Sequence, residues 1–224
     1  MHRPVNLVVL ISGNGSNLQA VLDACQAGDL PARVVAVVSN QAQAYGLERA
    51  RKVDLPALVI EKIREENRQD YDARLAIEVL KWKPDIVLLA GWMRLLGNAF
   101  LEHFPGRVVN LHPALPGTFP GTHAIERSYV AWERGEIDHS GVMVHLVPDE
   151  GVDSGPVLGV KNVAFRAGEK LEDFESRLHL VEHALLVDTL KQFIANDLKI
   201  KNGDHERTLM NTTDLSENSG ANGR

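Results

Sequence analysis

Cysteine is almost absent: Cys25 is the one cysteine in 224 residues. A single thiol excludes an internal disulfide and a cysteine-rich metal site. It falls on the apolar spacing Leu18, Val21, Leu22, Cys25, which predicts a buried, inert thiol on a helix and not a nucleophile. There is no run of about 18 apolar residues, so no membrane span is expected. The amino-terminal VNLVVLI leads into a glycine turn and not a cleavage site, so no signal peptide is expected and the cytoplasm is the expected compartment. No excess of positive charge exists: the net charge is -6, which argues against nucleic acid as the main partner. The nine histidines are scattered, with no His-Glu-x-x-His helix, and no metal site is expected. His112 with Ser128 or Ser140 could suggest a hydrolase pair, but no Gly-x-Ser-x-Gly elbow supports it.

Two further absences bear on the opening stretch, ISGNGSNLQAVL. Strand, glycine-rich turn and helix is a common phosphate-binding arrangement. A triphosphate cradle needs Gly-x-x-x-x-Gly-Lys-Ser/Thr, and no lysine follows Gly13 and Gly15 before Lys52. A dinucleotide fingerprint needs a third glycine where this chain has Leu18, and an acid after the second strand where it has Ser39 and Asn40. What remains is a helix amino terminus with Ser16 and Asn17 as extra donors, suited to a single phosphate or simply to a capped turn.

What the chain does have is ordinary globular composition, 44% hydrophobic and 24% charged, with one domain as the default for its length. Short Val/Ile/Leu runs predict strands at Asn6–Ile11, Arg33–Ser39, Ala57–Ile60, Asp85–Ala90 and Val108–Leu111. Helical spacings lie between them, such as Tyr71, Leu75, Val79, Trp82, stopped by Pro84. The alternation predicts an α/β fold with a doubly wound, mostly parallel sheet. Gly141–Val147 and Pro156–Phe165 read as two further strands, an antiparallel extension, followed by a long carboxy-terminal helix from Leu171 to about Asn196. From Asn202 onward the composition predicts a disordered tail, so the expected division is a domain over 1–200 and a tail over 201–224.

Three polar segments stand at predicted strand ends, where open α/β sheets place ligands. In RVVNLHPALPG, alternation puts Asn110 and His112 on one face, an amide and an imidazole able to meet an oxyanion. In VHLVPDEGVDSGP, Asp149 and Glu150 lie just past a strand in a turn, with Asp153 nearby; a carboxylate beside an imidazole raises its pKa and orients it. In LLAGWMRLLG, an apolar loop could wall a pocket for a flat ring.

Together the segments SGNGSN, AYGLERAR, LAGWMRLL, NLHPALPG with FPGTH, VHLVPDE with DSGP, and VEHALL resemble the phosphoribosylglycinamide formyltransferase family, from about Val5 to Ile200. The resemblance implies a Rossmann-like formyltransferase fold and formyl transfer from 10-formyltetrahydrofolate to the amine of 5-phosphoribosylglycinamide in purine synthesis, without a metal. It implies Asn110, His112 and Asp149 as the catalytic trio, with His112 acting in its protonated form. It implies Gly15, Ser16 and Asn17 on the ribonucleotide phosphate, and Glu182 on its ribose. Met93, Arg94, Leu95 and Leu96, together with Asn110, would form the folate pocket, with Arg68 holding the folate's glutamate carboxylate. The family often has Ser-Leu-Leu-Pro after the His-Pro, whereas this chain has Ala114-Leu115-Pro116-Gly117. The alternatives are another folate-dependent formyl-transfer or deformylation enzyme, or a non-catalytic nucleotide-binding module; oligomeric state stays open.

Overall fold

The computed structural model describes residues 3–217, with side chains described through residue 196. Its centre is one seven-stranded sheet. In chain order the strands are β1 (Val5–Ile11), β2 (Ala32–Ser39), β3 (Ala57–Val59), β4 (Ile86–Leu89), β5 (Val108–His112), β6 (His139–Leu146) and β7 (Val157–Ala164). In space they run β3-β2-β1-β4-β5-β6-β7. β1 to β5 pair in parallel, and β6 and β7 add on antiparallel. All seven predicted strands are present, with ends displaced by one or two residues.

The parallel strands are short apolar runs because helices cover both of their faces. One apolar layer takes Leu7, Val9 and Ile11 of β1 against α1 (Ser16–Ala27) and α6 (Leu171–Glu217). The other takes Val8 and Leu10 against α3 (Arg68–Leu80), through Tyr71, Leu75 and Val79. Alternate residues of one strand therefore serve opposite layers. α2 (Tyr45–Arg51), α4 (Asn98–Leu101) and α5 (Ala124–Glu133) complete the chain. Cys25 sits half-buried against the first layer, and burial pushes its thiol up to about 11, so it stays protonated. The backbone of α6 continues to Glu217, past Asn196 where the apolar spacing ends and into the segment for which composition predicts no order. Residues 218–224 of that segment lie outside the described residues. Among the described residues, no helix is long and apolar enough to cross a membrane.

This strand order puts the carboxyl ends of β1, β4 and β5 side by side, with the reversal of winding between β1 and β4. The loops leaving those ends are tied together at their roots. Ser12 Oγ donates to Asn40 Oδ1 (2.7 Å) and accepts from Met93 N (2.8 Å), while Ser12 N donates to Gly91 O (3.0 Å). Asn40, standing where a dinucleotide fold would carry its acid, gives its side-chain oxygen to this link.

The first loop owes its shape to α2. Gly46 N donates to Gly13 O (3.1 Å), and Arg49 donates to both Asn14 O and Asn14 Oδ1 (2.9 Å each). Gly15 has φ 73, and a Cβ there would meet Gly46 Cα at 2.7 Å. Both the left-handed backbone and the close approach exclude a side chain. Replacing Gly15 by Ala should lower unfolding free energy in urea by about 2–3 kcal/mol. Gly13→Ala, where a Cβ meets nothing within 4 Å, should stay within about 0.5 kcal/mol of wild type. Equal midpoints for the two variants would contradict this account of the loop.

Candidate active site

α1 starts directly from the glycine loop. Its N-cap, Gly15, offers no side-chain acceptor, and its first turn carries no acidic residue. The free N–H groups and the positive end of the helix dipole are therefore uncompensated, which suits an anion. Ser16 and Asn17 are the first two residues of the helix. Asn17 turns its amide toward α6, where Nδ2 lies 3.4 Å from Glu182 Oε2. Glu182 is 3% exposed and also accepts from His179 Nδ1 (2.7 Å). That bond raises the His179 pKa against the opposing effect of burial. The expected phosphate and ribose contacts thus share one wall, made by α1 and α6. His179 and His183 lie four residues apart on α6, a His-x-x-x-His spacing that helical metal sites also use, against the expectation of scattered histidines. Among the described residues, however, no group of three or more His, Cys, Asp or Glu is placed to hold a metal.

The second wall is at the end of β5. Asn110 and His112 lie two residues apart on it, and Asn110 is directly opposite His145 of β6. The carboxylate that meets them is Asp153, not Asp149. His112 Nδ1 lies 3.3 Å from Asp153 Oδ2, Asn110 Nδ2 donates to Asp153 Oδ1 (3.1 Å), and Gly121 N donates to Asp153 Oδ2 (2.8 Å). Asp149 instead folds back on its own turn, accepting from Gly151 N (2.8 Å), and stays exposed. The expectation failed because Asp149 is spent on a local Asx turn, whereas Asp153 adopts φ 48 and swings inward. Aspartate tolerates that left-handed region better than most residues, which was a usable signal in DSGP.

His145 is a residue that sequence reasoning missed, although pairing β5 with β6 would have placed it. Its Nδ1 donates to Leu146 O (2.8 Å), so Nε2 is the acceptor for Asn110 Nδ2 (3.0 Å). The β6–β7 register shifts between Val144 and His145, and such irregularities re-aim side chains. Asn110 therefore has both amide hydrogens committed, one to His145 and one to Asp153.

Electrostatics separate the partners. Burial alone would raise the Asp153 carboxyl, yet the hydrogen-bonding groups around it, the Gly121 N–H among them, hold it below the ordinary carboxylate value. His112 is 4% exposed. Burial lowers its pKa, and this outweighs the upward pull of Asp153 and of the Phe119 carbonyl. The buried ring therefore favours its neutral form at rest. Nε2 lies 3.1 Å from Phe119 O, so both ring nitrogens face acceptors. A neutral ring carries one N–H, so a proton arriving at His112 finds its acceptor already in place. Phe119 itself has φ 45, and Arg127 fixes its carbonyl (2.7 Å) and that of Pro120 (2.6 Å).

The third wall is the loop after β4. Met93 and Leu95 are 65% and 52% exposed, while Trp92 and Leu96 are buried. Arg94 lies over the Tyr71 ring, 4.7 Å from its centroid. Arg68 opens α3, with Nε 3.6 Å from Asp72 Oδ2 and Nη1 3.4 Å from Glu150 Oε2. The four loop residues do not act as one surface: two side chains are open and Leu96 packs inward.

Residues 5–190 match the family model described as formyl transferase. Over 196 residues the chain is 41% identical to the phosphoribosylglycinamide formyltransferase of Escherichia coli (strain K12), covering 88% of this chain and 90% of that one. Its counterpart in Schizosaccharomyces pombe is 42% identical over 204 residues, covering 86% and 98%. Among solved structures, glycinamide ribonucleotide transformylase 1 from Symbiobacterium toebii superposes with a TM-score of 0.81 at 38% identity, covering 88% of this chain and 90% of that chain. A family model across most of the chain, relatives at this identity and the same fold lead to one conclusion: the chain belongs to the formyl transferase family.

Proposed function

We propose that the chain is a phosphoribosylglycinamide formyltransferase, moving the formyl group of 10-formyltetrahydrofolate to the amine of 5-phosphoribosylglycinamide. The observation that carries this reading is the His112–Asp153–Asn110 set beside an uncapped helix amino terminus, in a chain with relatives of that name. The helix end and Ser16 take the phosphate, and Glu182 takes the ribose. Met93, Leu95 and the backbone around them border the folate ring, with Arg68 toward its acidic tail. Both substrates are small molecules.

In the reaction the amine attacks the formyl carbon, a C–N bond forms, and the carbonyl oxygen becomes an oxyanion. Neutral His112 accepts the proton shed by the attacking nitrogen. The resulting imidazolium lies against Asp153 and faces the developing negative charge. Asp153 then has a charged partner, which frees the Asn110 N–H that it held to turn to the oxyanion. Collapse breaks the bond to the folate nitrogen, which takes the proton from His112. Asp153 contributes orientation and stabilisation of the imidazolium, the role expected of a carboxylate behind a proton-transferring histidine.

His112→Ala and Asp153→Asn should each lower kcat by a hundredfold or more, on the order of one general acid–base group. Asp149→Asn should stay within about twofold; the reverse order of the two aspartate variants would restore Asp149 to the site. Because the His112 pKa lies below its ordinary value, the acid limb of kcat/KM should fall below about pH 6.5. Asp153→Asn removes an upward pull on His112, so its residual activity should show that limb at still lower pH. Ser16→Asp places a negative charge against the phosphate and should raise KM for the ribonucleotide far more than for the folate. Equal increases in both constants would remove the phosphate from that helix end.

A further inference from the structure

Glu150 sits three residues before Asp153 and makes two contacts outside its own turn. Its Oε1 accepts from Asn98 N at 3.1 Å, and its Oε2 lies 3.4 Å from Arg68 Nη1. The neighbouring amide, Gly97 N, donates to Asp72 Oδ2 at 2.7 Å, and Asp72 also faces Arg68. Two carboxylates and one guanidinium thus close around the consecutive amides of 97 and 98. The packing there is tight: a Cβ on Gly97 would come within 2.9 Å of both Asp72 Oδ2 and Glu150 Oε1.

At its other end the same turn delivers Asp153 to Gly121, Asn110 and His112. Between the two attachments lie only Gly151, which has no side chain, and Val152, which is 39% exposed. The hydrogen bond of this short middle, Gly151 N to Asp149 Oδ1, stays within the turn. We propose that Glu150 is a positioning residue, which sets where the Asp153 carboxylate arrives by fastening the β6–β7 turn to the start of α4 and to Arg68. This rests on the reading of Asp153 as the partner of His112. An exposed ion pair adds little stability by itself. Its effect here is geometric, because a displacement of about 1 Å at a proton-transferring pair costs far more in rate than in folding. The groups that act on His112 are Asp153, His145, Arg127 and the Phe119 carbonyl, so Glu150 reaches it only through Asp153.

The test compares Glu150→Ala and Glu150→Gln in the whole protein, with thermal unfolding to confirm that both fold. The His112 ring is titrated by NMR in the substrate-free protein, and kcat and both KM values are measured. In Glu150→Ala the His112 midpoint should move down, as Asp153 retreats from the ring, and kcat should fall about tenfold with an unchanged ribonucleotide KM. Glu150→Gln keeps an acceptor for Asn98 N and should regain most of both. An unchanged or raised midpoint in Glu150→Ala, or an effect confined to the folate KM, overturns the proposal. The titration needs no substrate, so it still decides the role of Glu150 if the wild-type protein proves inactive in formyl transfer, an outcome that would sink the proposed function alone.

Discussion

Asp153 is a largely enclosed carboxylate, its side chain 12% exposed, on which three separate stretches of chain converge. β5 supplies Asn110 and His112, the loop after β5 supplies the Gly121 amide, and β6 supplies His145, which accepts from Asn110 and aims it. A carboxylate out of water is costly unless its lone pairs are satisfied. Here that cost is offset by backbone and side-chain donors whose positions must all be right at once. The strained Phe119 to His123 segment, the β6–β7 turn and the end of β5 are therefore fixed by one requirement. The lowered pKa of His112 has burial as its largest cause, against the upward pull of Asp153.

Two of the three walls of the site are of different kinds. The α1 wall uses backbone: a glycine N-cap, unpaired N–H groups and a loop held by Arg49 and Gly46. The β5 wall uses side chains in a continuous hydrogen-bonded set. Such a division suits a molecule with a phosphate at one end and a reacting amine at the other, because binding and chemistry then draw on separate groups. A change in the loop can alter affinity while His112 keeps its surroundings, and the reverse also holds.

The strands, the sheet's change from parallel to antiparallel and the glycine loop were legible because each is written in local pattern. Val-rich runs, Gly13 and Gly15, and the two-residue spacing of Asn110 and His112 need no knowledge of distant contacts. The identity of the acid was not legible in that way. Asp149, Glu150 and Asp153 occupy one short turn, and which of them reaches His112 depends on backbone angles: Asp149 is consumed by Gly151 N, and Asp153 takes a left-handed conformation. His145 was hidden for a different reason, since its place opposite Asn110 appears only once β6 is paired with β5. The charge state of His112 depends on burial, which residue spacing does not report.

The pairing of Asn110 with His145 makes strand register a chemical variable as well as a packing one. A shift of one residue in β6 would turn His145 to the other face of the sheet and bring a valine or leucine opposite Asn110. The same shift would carry Val142, Val144 and Leu146 away from their apolar layer, so hydrophobic burial and the hydrogen-bonded set enforce one register. Length changes are sorted by where they fall: an added residue between Pro148 and Val152 stays outside the ladder, while one inside Val142–Leu146 rewrites which atoms meet Asn110. The short β5–β6 ladder thus acts as a reading frame for the active site.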